Sequence, residues 1–281
     1  MGNPNPVQMA LPPAEELSLD KLAGDWSIYQ LKRGHRFSSD DMLTAWMGLV
    51  EVPDVPVQLD LGAGIGSVGL LSLYRRQETC RLVMLEAQEV SHALARKSVG
   101  HNGLQERVDL RLGDLRDYHS LLEPENYPLV TGSPPYFPVG TAVISPHPQR
   151  AACRMELRGS ILDYAAAAAH AMTPDGAFVF CMAAEDPRSK QAIDQAGLHL
   201  HVRQHVLFRA SKKPTITLFV ARKKPSTTGV EQRAPLIIRD AQGVFTEAYQ
   251  QVRRMLGFTP RDGSPSEKSR GEQHPPAPLP K

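Results

Sequence analysis

The run Val57-Gln58-Leu59-Asp60-Leu61, followed at once by Gly62-Ala63-Gly64-Ile65-Gly66, constrains this chain more than any other stretch. A short aliphatic run that ends in alternating glycines is a strand turning tightly into a helix, and the missing side chains let a ligand approach the backbone. From Val57 onward, further aliphatic or β-branched runs alternate with segments of helical period, the pattern of a parallel sheet covered by helices on both faces. Strands are expected at 57–61, 81–86, 108–112, 128–132, 177–183, 204–209 and 214–221, and helices at 69–76, 89–101, 162–172 and 187–196. Pro174-Asp175-Gly176 reads as the turn after the third of these helices. Only Ala210–Lys213 separates the last two strands, so they form an antiparallel hairpin and make the seven-stranded sheet mixed. Upstream, a strand at 26–32 leads into a helix at 39–50. Downstream, a strand at 235–239 and a short helix at 243–256 pack on the main domain.

Composition bounds this α/β reading. Of the 281 residues 41% are hydrophobic, enough for a substantial core. Residues 1–13 hold four prolines and 259–281 six more, so 1–17 and 259–281 are expected as disordered tails around one domain at 18–258. Cys80, Cys153 and Cys181 lie far apart with no CxxC spacing, which argues against a zinc site or a secreted disulfide scaffold and for a reducing cytoplasm. No export signal opens the chain and no run approaches the roughly 18 apolar residues of a membrane span, so neither a metal nor a membrane is expected. The net charge is +2, so the distribution of charge matters more than its sum.

Candidate ligand groups collect at strand ends. Asp60 precedes the turn of Gly62, Gly64 and Gly66; Glu86 ends the second strand and can accept from both hydroxyls of a ribose; Asp114 follows the third and can accept from an adenine amino group. Read from Gly64 through Gly66 and Gly69, the same turn satisfies G-x-G-x-x-G, so a dinucleotide site competes with a nucleoside site on this motif. The fourth strand ends in Ser133-Pro134-Pro135-Tyr136. Two prolines remove two N–H donors and stiffen the chain, leaving the Ser133 hydroxyl and the Pro134 carbonyl as acceptors for an amino group, with Tyr136 to stack on the attached ring. That arrangement suits methyl transfer to a planar nitrogen from S-adenosyl-L-methionine, with rate coming from alignment and electrostatic positioning.

These residues, in this order, resemble class I S-adenosylmethionine-dependent amino-methyltransferases. More narrowly, the chain resembles the bacterial family that methylates the exocyclic N6 of an adenine beside the anticodon of a valine tRNA. Gln30–Asp40 looks like that family's N-terminal signature, Arg154-Met155-Glu156 its Arg-His-Glu, and Pro235–Tyr249 its closing segment. The resemblance implies a Rossmann-like methyltransferase domain, S-adenosylmethionine as cofactor, tRNA or another structured RNA as partner, and Phe37, Ser39 and Asp40 as a cover over the cofactor. A plain helix cap explains Ser38, Ser39 and Asp40 equally well. Ser133 stands where the family has Asn or Asp, and Met155 where it has histidine, so cytosine N4 or adenine N6 in DNA, a protein glutamine amide, or RNA binding without catalysis stay open as alternatives.

For RNA contact, Lys32, Arg33 and Arg36 lie near the expected site. Between His199 and Val230 there is no acid, while Arg209, Lys212, Lys213, Arg222, Lys223 and Lys224 are all basic. The lysines at the hairpin tip and the cluster after its second strand are expected to track a phosphate backbone.

Overall fold

The computed structural model describes residues 13–259. A 3-10 turn, Ala14–Glu16, leads into strands Leu17–Ala23 (β1) and Trp26–Leu31 (β2), which pair antiparallel as a separate hairpin. There follow helix Ser39–Glu51 (α1), strand Val57–Leu61 (β3), helix Ser67–Tyr74 (α2), strand Arg81–Glu86 (β4), helix Glu89–His101 (α3) and strand Val108–Leu112 (β5). Next come the short helix Tyr118–Leu121 (α4), strand Tyr127–Gly132 (β6), and helices Pro148–Arg154 (α5) and Ile161–Ala171 (α6). The chain continues with strand Met172–Ala183 (β7), helix Arg188–Gln195 (α7), strands His199–Leu207 (β8), Ile216–Arg222 (β9) and Glu231–Ile237 (β10), and helix Glu247–Met255 (α8).

The central sheet has the order β10-β8-β9-β7-β6-β3-β4-β5. It therefore has eight strands, not the seven expected. The extra one is β10, which pairs parallel with β8 at the edge instead of packing separately. β9 runs antiparallel to both β7 and β8, so the expected hairpin and mixed sheet are present. Pro174-Asp175-Gly176 lies within β7, where the register against β6 jumps from Tyr127↔Met172 to Leu129↔Ala177; the chain bulges there without leaving the sheet. Residues 14–17, assigned by composition to the N-terminal tail, form the turn and the start of β1. The rest of that tail up to residue 12, and the C-terminal tail from 260, lie outside the described residues.

Strand alternation sorts side chains to two cores. Leu59 and Leu61 of β3 face α6, where Ala165, Ala168 and Tyr164 pack with Phe178 and Phe180. Stacking of Phe180 on Phe178 and Phe219, with centroids 4.7 and 5.0 Å apart, ties β7 to β9. The opposite face is covered by α1, α2, α3 and α8 through residues such as Leu43, Leu71, Leu94 and Tyr249. On that face β3 presents Gln58 and Asp60. Gln58 Oε1 accepts from Ser72 Oγ at 2.7 Å and Arg76 Nε at 2.9 Å, and Asp60 accepts from the Gly69 amide at 2.9 Å. These buried bonds fix α2 against β3 and so set the turn between them. Among the described residues no helix is long and apolar enough to cross a membrane, and no group of three or more His, Cys, Asp or Glu is placed to hold a metal ion.

Candidate active site

A cleft opens at the carboxyl ends of β3, β4 and β6. Its floor is the glycine turn. Gly62 and Gly64 have φ of 56° and 58°, a region that disfavours any residue with a Cβ. At Gly62 a Cβ would also run into the Tyr164 hydroxyl, whereas at Gly64 it would meet nothing within 4 Å because it would project into the cleft. The Gly64 amide donates to Glu86 Oε2 at 2.7 Å and the Gln88 amide to Oε1 at 2.6 Å, so the acid at the end of β4 pins the turn as well as lining the cleft.

Asp60 and Glu86 both line the cleft, as expected, and so does Asp41, which the sequence reading missed. Asp41 is the third helical residue of α1. Its carboxylate closes a capping box by accepting from the Ser38 amide at 2.9 Å, which turns it back toward the helix start, and there the Ser67 and Ser133 hydroxyls stabilise its charge. The Ser-x-x-Asp spacing at 38–41 was the signal that would have found it. Burial raises the pKa of all three acids, and Asp60 is pushed up to about 7 despite bonds from Thr131 Oγ1 and the Gly69 amide.

The Ser-Pro-Pro-Tyr loop forms one wall. Ser133 and Pro135 line the cleft, and Pro134 is buried behind them. Tyr136 donates its hydroxyl to Asp40 Oδ2 at 2.6 Å and lies 3.3 Å from Cys181 Sγ. Burial beside Asp40 and Cys181 drives the phenol pKa well above its usual value, so it stays protonated. The N-terminal signature thus reaches the site through Asp40 on Tyr136 and through His35 in the cleft wall, and Asp41 follows it directly. Phe37 and Ser39 do not line it; Phe37 packs against the apolar core, and Ser38 is the helix cap. Met155 is 2% exposed, and its bridge to Phe137 brings Glu156 to Arg188, which also donates to the Tyr136 carbonyl at 2.9 Å. A buried apolar side chain at 155 therefore packs behind the loop rather than meeting a ligand.

Two expected groups are not brought together at the cleft. Asp114 does not line the cleft: it caps a 3-10 turn, accepting from the Arg116 amide at 3.0 Å and pairing with the Arg116 guanidinium, which lowers its pKa. Gly113 lines the cleft beside it. The basic groups after residue 199 are also divided. Exposed Arg209, Lys212 and Lys213 lie at the tip joining β8 to β9, and the pairing of Ile216 with Ala183 puts that tip at the same edge as the cleft. Arg222, Lys223 and Lys224 lie at the other end of β9 and pair with Glu51, Glu125 and Asp175. In the N-terminal group Arg36 pairs with Asp20, Lys32 donates to the Glu15 carbonyl, and Arg33 is exposed.

The cleft also separates the two readings of the glycine motif. A pyrophosphate needs free amides and positive potential at the start of α2. Here the Gly69 amide is taken by Asp60, and three buried carboxylates surround the turn. Such a setting favours a cationic nucleoside over an anionic pyrophosphate.

Fold and cleft together define a class I methyltransferase architecture. No family model matches the chain. It is similar to the tRNA1(Val) (adenine(37)-N6)-methyltransferase of Haemophilus influenzae, 23% identical over 208 residues that cover 74% of this chain and 84% of the relative. It is also similar to the protein of the same name from Cronobacter sakazakii, 26% identical over 211 residues covering 74% and 82%. Among solved structures, a predicted O-methyltransferase, Atu636 from Agrobacterium tumefaciens, superposes with a TM-score of 0.57 at 21% identity, covering 79% of this chain and 99% of that one.

Proposed function

We propose that the chain transfers a methyl group from S-adenosylmethionine to the exocyclic N6 of an adenine in tRNA. The observation that carries this reading is the convergence of Asp41, Asp60, Glu86 and Ser133 on one cleft at the strand ends, in a chain whose curated relatives bear that activity in their names. S-adenosylmethionine supplies an electrophilic methyl on a positively charged sulfur. Glu86 and the open backbone at Gly64 would hold its nucleoside part, and the buried acids offset its positive charge.

The remaining work falls to the loop. Tyr136, anchored through its hydroxyl to Asp40 beside the cleft-lining Ser133 and Pro135, is the ring we assign to stack on the adenine. Ser133 directs its proton toward Asp41, which leaves the hydroxyl lone pairs to accept one N–H of the amine; the Pro134 carbonyl accepts the other. S-adenosylmethionine would supply the methyl and take back the bonding electrons at its sulfur, while Ser133 and the Pro134 carbonyl hold the nitrogen lone pair in line. The surplus proton on nitrogen leaves through Ser133 to Asp41, whose raised pKa makes it a competent acceptor.

The test is incubation of the purified protein with labelled S-adenosylmethionine and unmodified tRNA, followed by mass spectrometry of the nucleosides. N6-methyladenosine is the expected product. Its absence with every tRNA overturns the reading, and methylation of duplex DNA or of a glutamine-bearing protein instead transfers the chemistry to that substrate.

A further inference from the structure

Beside the cleft stand three arginines that form no ion pair among the described residues, although Arg158 is near enough to Glu86 and Asp114 to act on their charge. α5 buries Gln149 and Ala151 and exposes Arg150 and Arg154, which stand four residues apart on one face. Exposed Arg158 follows and lines the cleft itself. Among the described residues no carboxylate lies within ion-pair distance of any of the three; the nearby Glu156 is turned away onto Arg188. Like charges at this helical spacing repel.

Each of the three side chains is nevertheless held in place by a neutral partner. Arg150 donates to the Gly34 carbonyl at 3.2 Å, Arg158 donates to the Ala87 carbonyl at 3.0 Å, and the Arg154 guanidinium lies 5.6 Å from the Phe137 ring centroid. Neutral anchoring orders a guanidinium without spending its charge, which suits an external anion. His35 in the cleft wall is influenced by the charges of both Arg150 and Arg154, so these cations stand at the mouth and not on a remote surface. Between the Tyr136 loop and α5, Val143 and Ile144 are 99% and 56% exposed, an apolar pair just ahead of α5 in the chain.

We infer that Arg150, Arg154 and Arg158 form the phosphate-binding face for the RNA strand that delivers the target base, with Val143 and Ile144 against its unstacked neighbours. This rests on the RNA reading above and moves the main contact from the Arg222–Lys224 cluster to the segment after the Ser-Pro-Pro-Tyr loop. Planar guanidinium groups match phosphate oxygens, and single-stranded loops present both phosphates and splayed bases to such a face.

The experiment titrates unmodified tRNA into wild type, Arg150→Gln/Arg154→Gln and Lys223→Gln/Lys224→Gln across a salt series, with S-adenosylmethionine binding by calorimetry as a check that each variant is folded. The arginine pair is expected to lose at least tenfold in tRNA affinity and to flatten the salt slope by about 1.5, as for two lost phosphate contacts, with cofactor affinity unchanged. The lysine pair should match wild type. Arg150→Lys/Arg154→Lys, which keeps the charge, should retain the slope. Wild-type binding with no change in the arginine-to-glutamine pair overturns the inference alone. Failure of wild type to bind any tRNA overturns the RNA reading itself, and the inference with it.

Discussion

At the amino ends of the central strands Lys223 pairs with Glu125, Lys224 with Asp175, and Arg222 shares Glu51 with Arg233. At the carboxyl ends Asp41, Asp60 and Glu86 are buried around one cleft, and no cation forms an ion pair with them among the described residues. The difference separates scaffold from site. Charge that is neutralised within the chain holds elements together and asks nothing of a ligand. Carboxyl groups that the fold buries without an ion pair have raised pKa values, and await a partner of opposite sign.

Four substitutions or conditions test this contrast. Tyr136→Ala should have the largest effect, lowering the single-turnover rate by about 100-fold or more through loss of the base platform, while calorimetry shows S-adenosylmethionine binding within threefold of wild type. A parallel loss of cofactor affinity would mean that Tyr136 supports the cofactor wall instead. Glu86→Ala should weaken cofactor binding by roughly 1–3 kcal/mol; unchanged affinity would break the assignment of the strand-end acids to the ligand.

Third is stability against pH. Asp60 holds its proton up to about 7 in the folded chain, whereas in the unfolded chain the carboxyl ionises near 3.8. Between those values the folded state binds more protons, so stability is highest below the window and falls as pH rises through it. Thermal unfolding without cofactor should show a midpoint several degrees lower at pH 7.5 than at pH 5, and Asp60→Asn should flatten that trend even if it lowers the baseline. A slope identical to wild type would remove Asp60 from the account. The smallest effect belongs to the opposite edge: Lys224→Gln should change unfolding free energy in urea by less than about 0.5 kcal/mol, as for an exposed pair.

The legibility of the molecule follows the same divide between buried and exposed elements. β3 and β4 begin and end where their aliphatic runs do because strands on both sides impose a clear pattern, α3 spans the expected residues, and β5, the other edge of the sheet, is legible from its own Val108, Leu110 and Leu112 alternation. β10 obeys weaker rules: as an edge strand it bonds to β8 alone, tolerates Pro235, and buries only Leu236, so its first half carried no strand signal. β1 interleaves Asp20 and Lys21 with its leucines and was invisible for the same reason. In the site, glycines and strand-end acids were readable because backbone geometry dictates them. Asp114 was not, since its capture by Arg116 two residues on is a local contest that spacing does not decide. Asp41 was hidden behind its neighbour Asp40, and only the capping geometry shows which of the two acids enters the cleft.

Tyr164 stands between the two halves of the site. Its hydroxyl fills the place a side chain at Gly62 would need, and its ring lies 2.9 Å from where a Cβ at Gly132 would sit. The cofactor turn and the strand that delivers Ser133 therefore close on one aromatic wedge. In evolutionary terms these three positions form a single heritable unit: a lineage that gains a side chain at 62 or 132 must first lose bulk at 164, and an engineer reshaping either half has to redesign both.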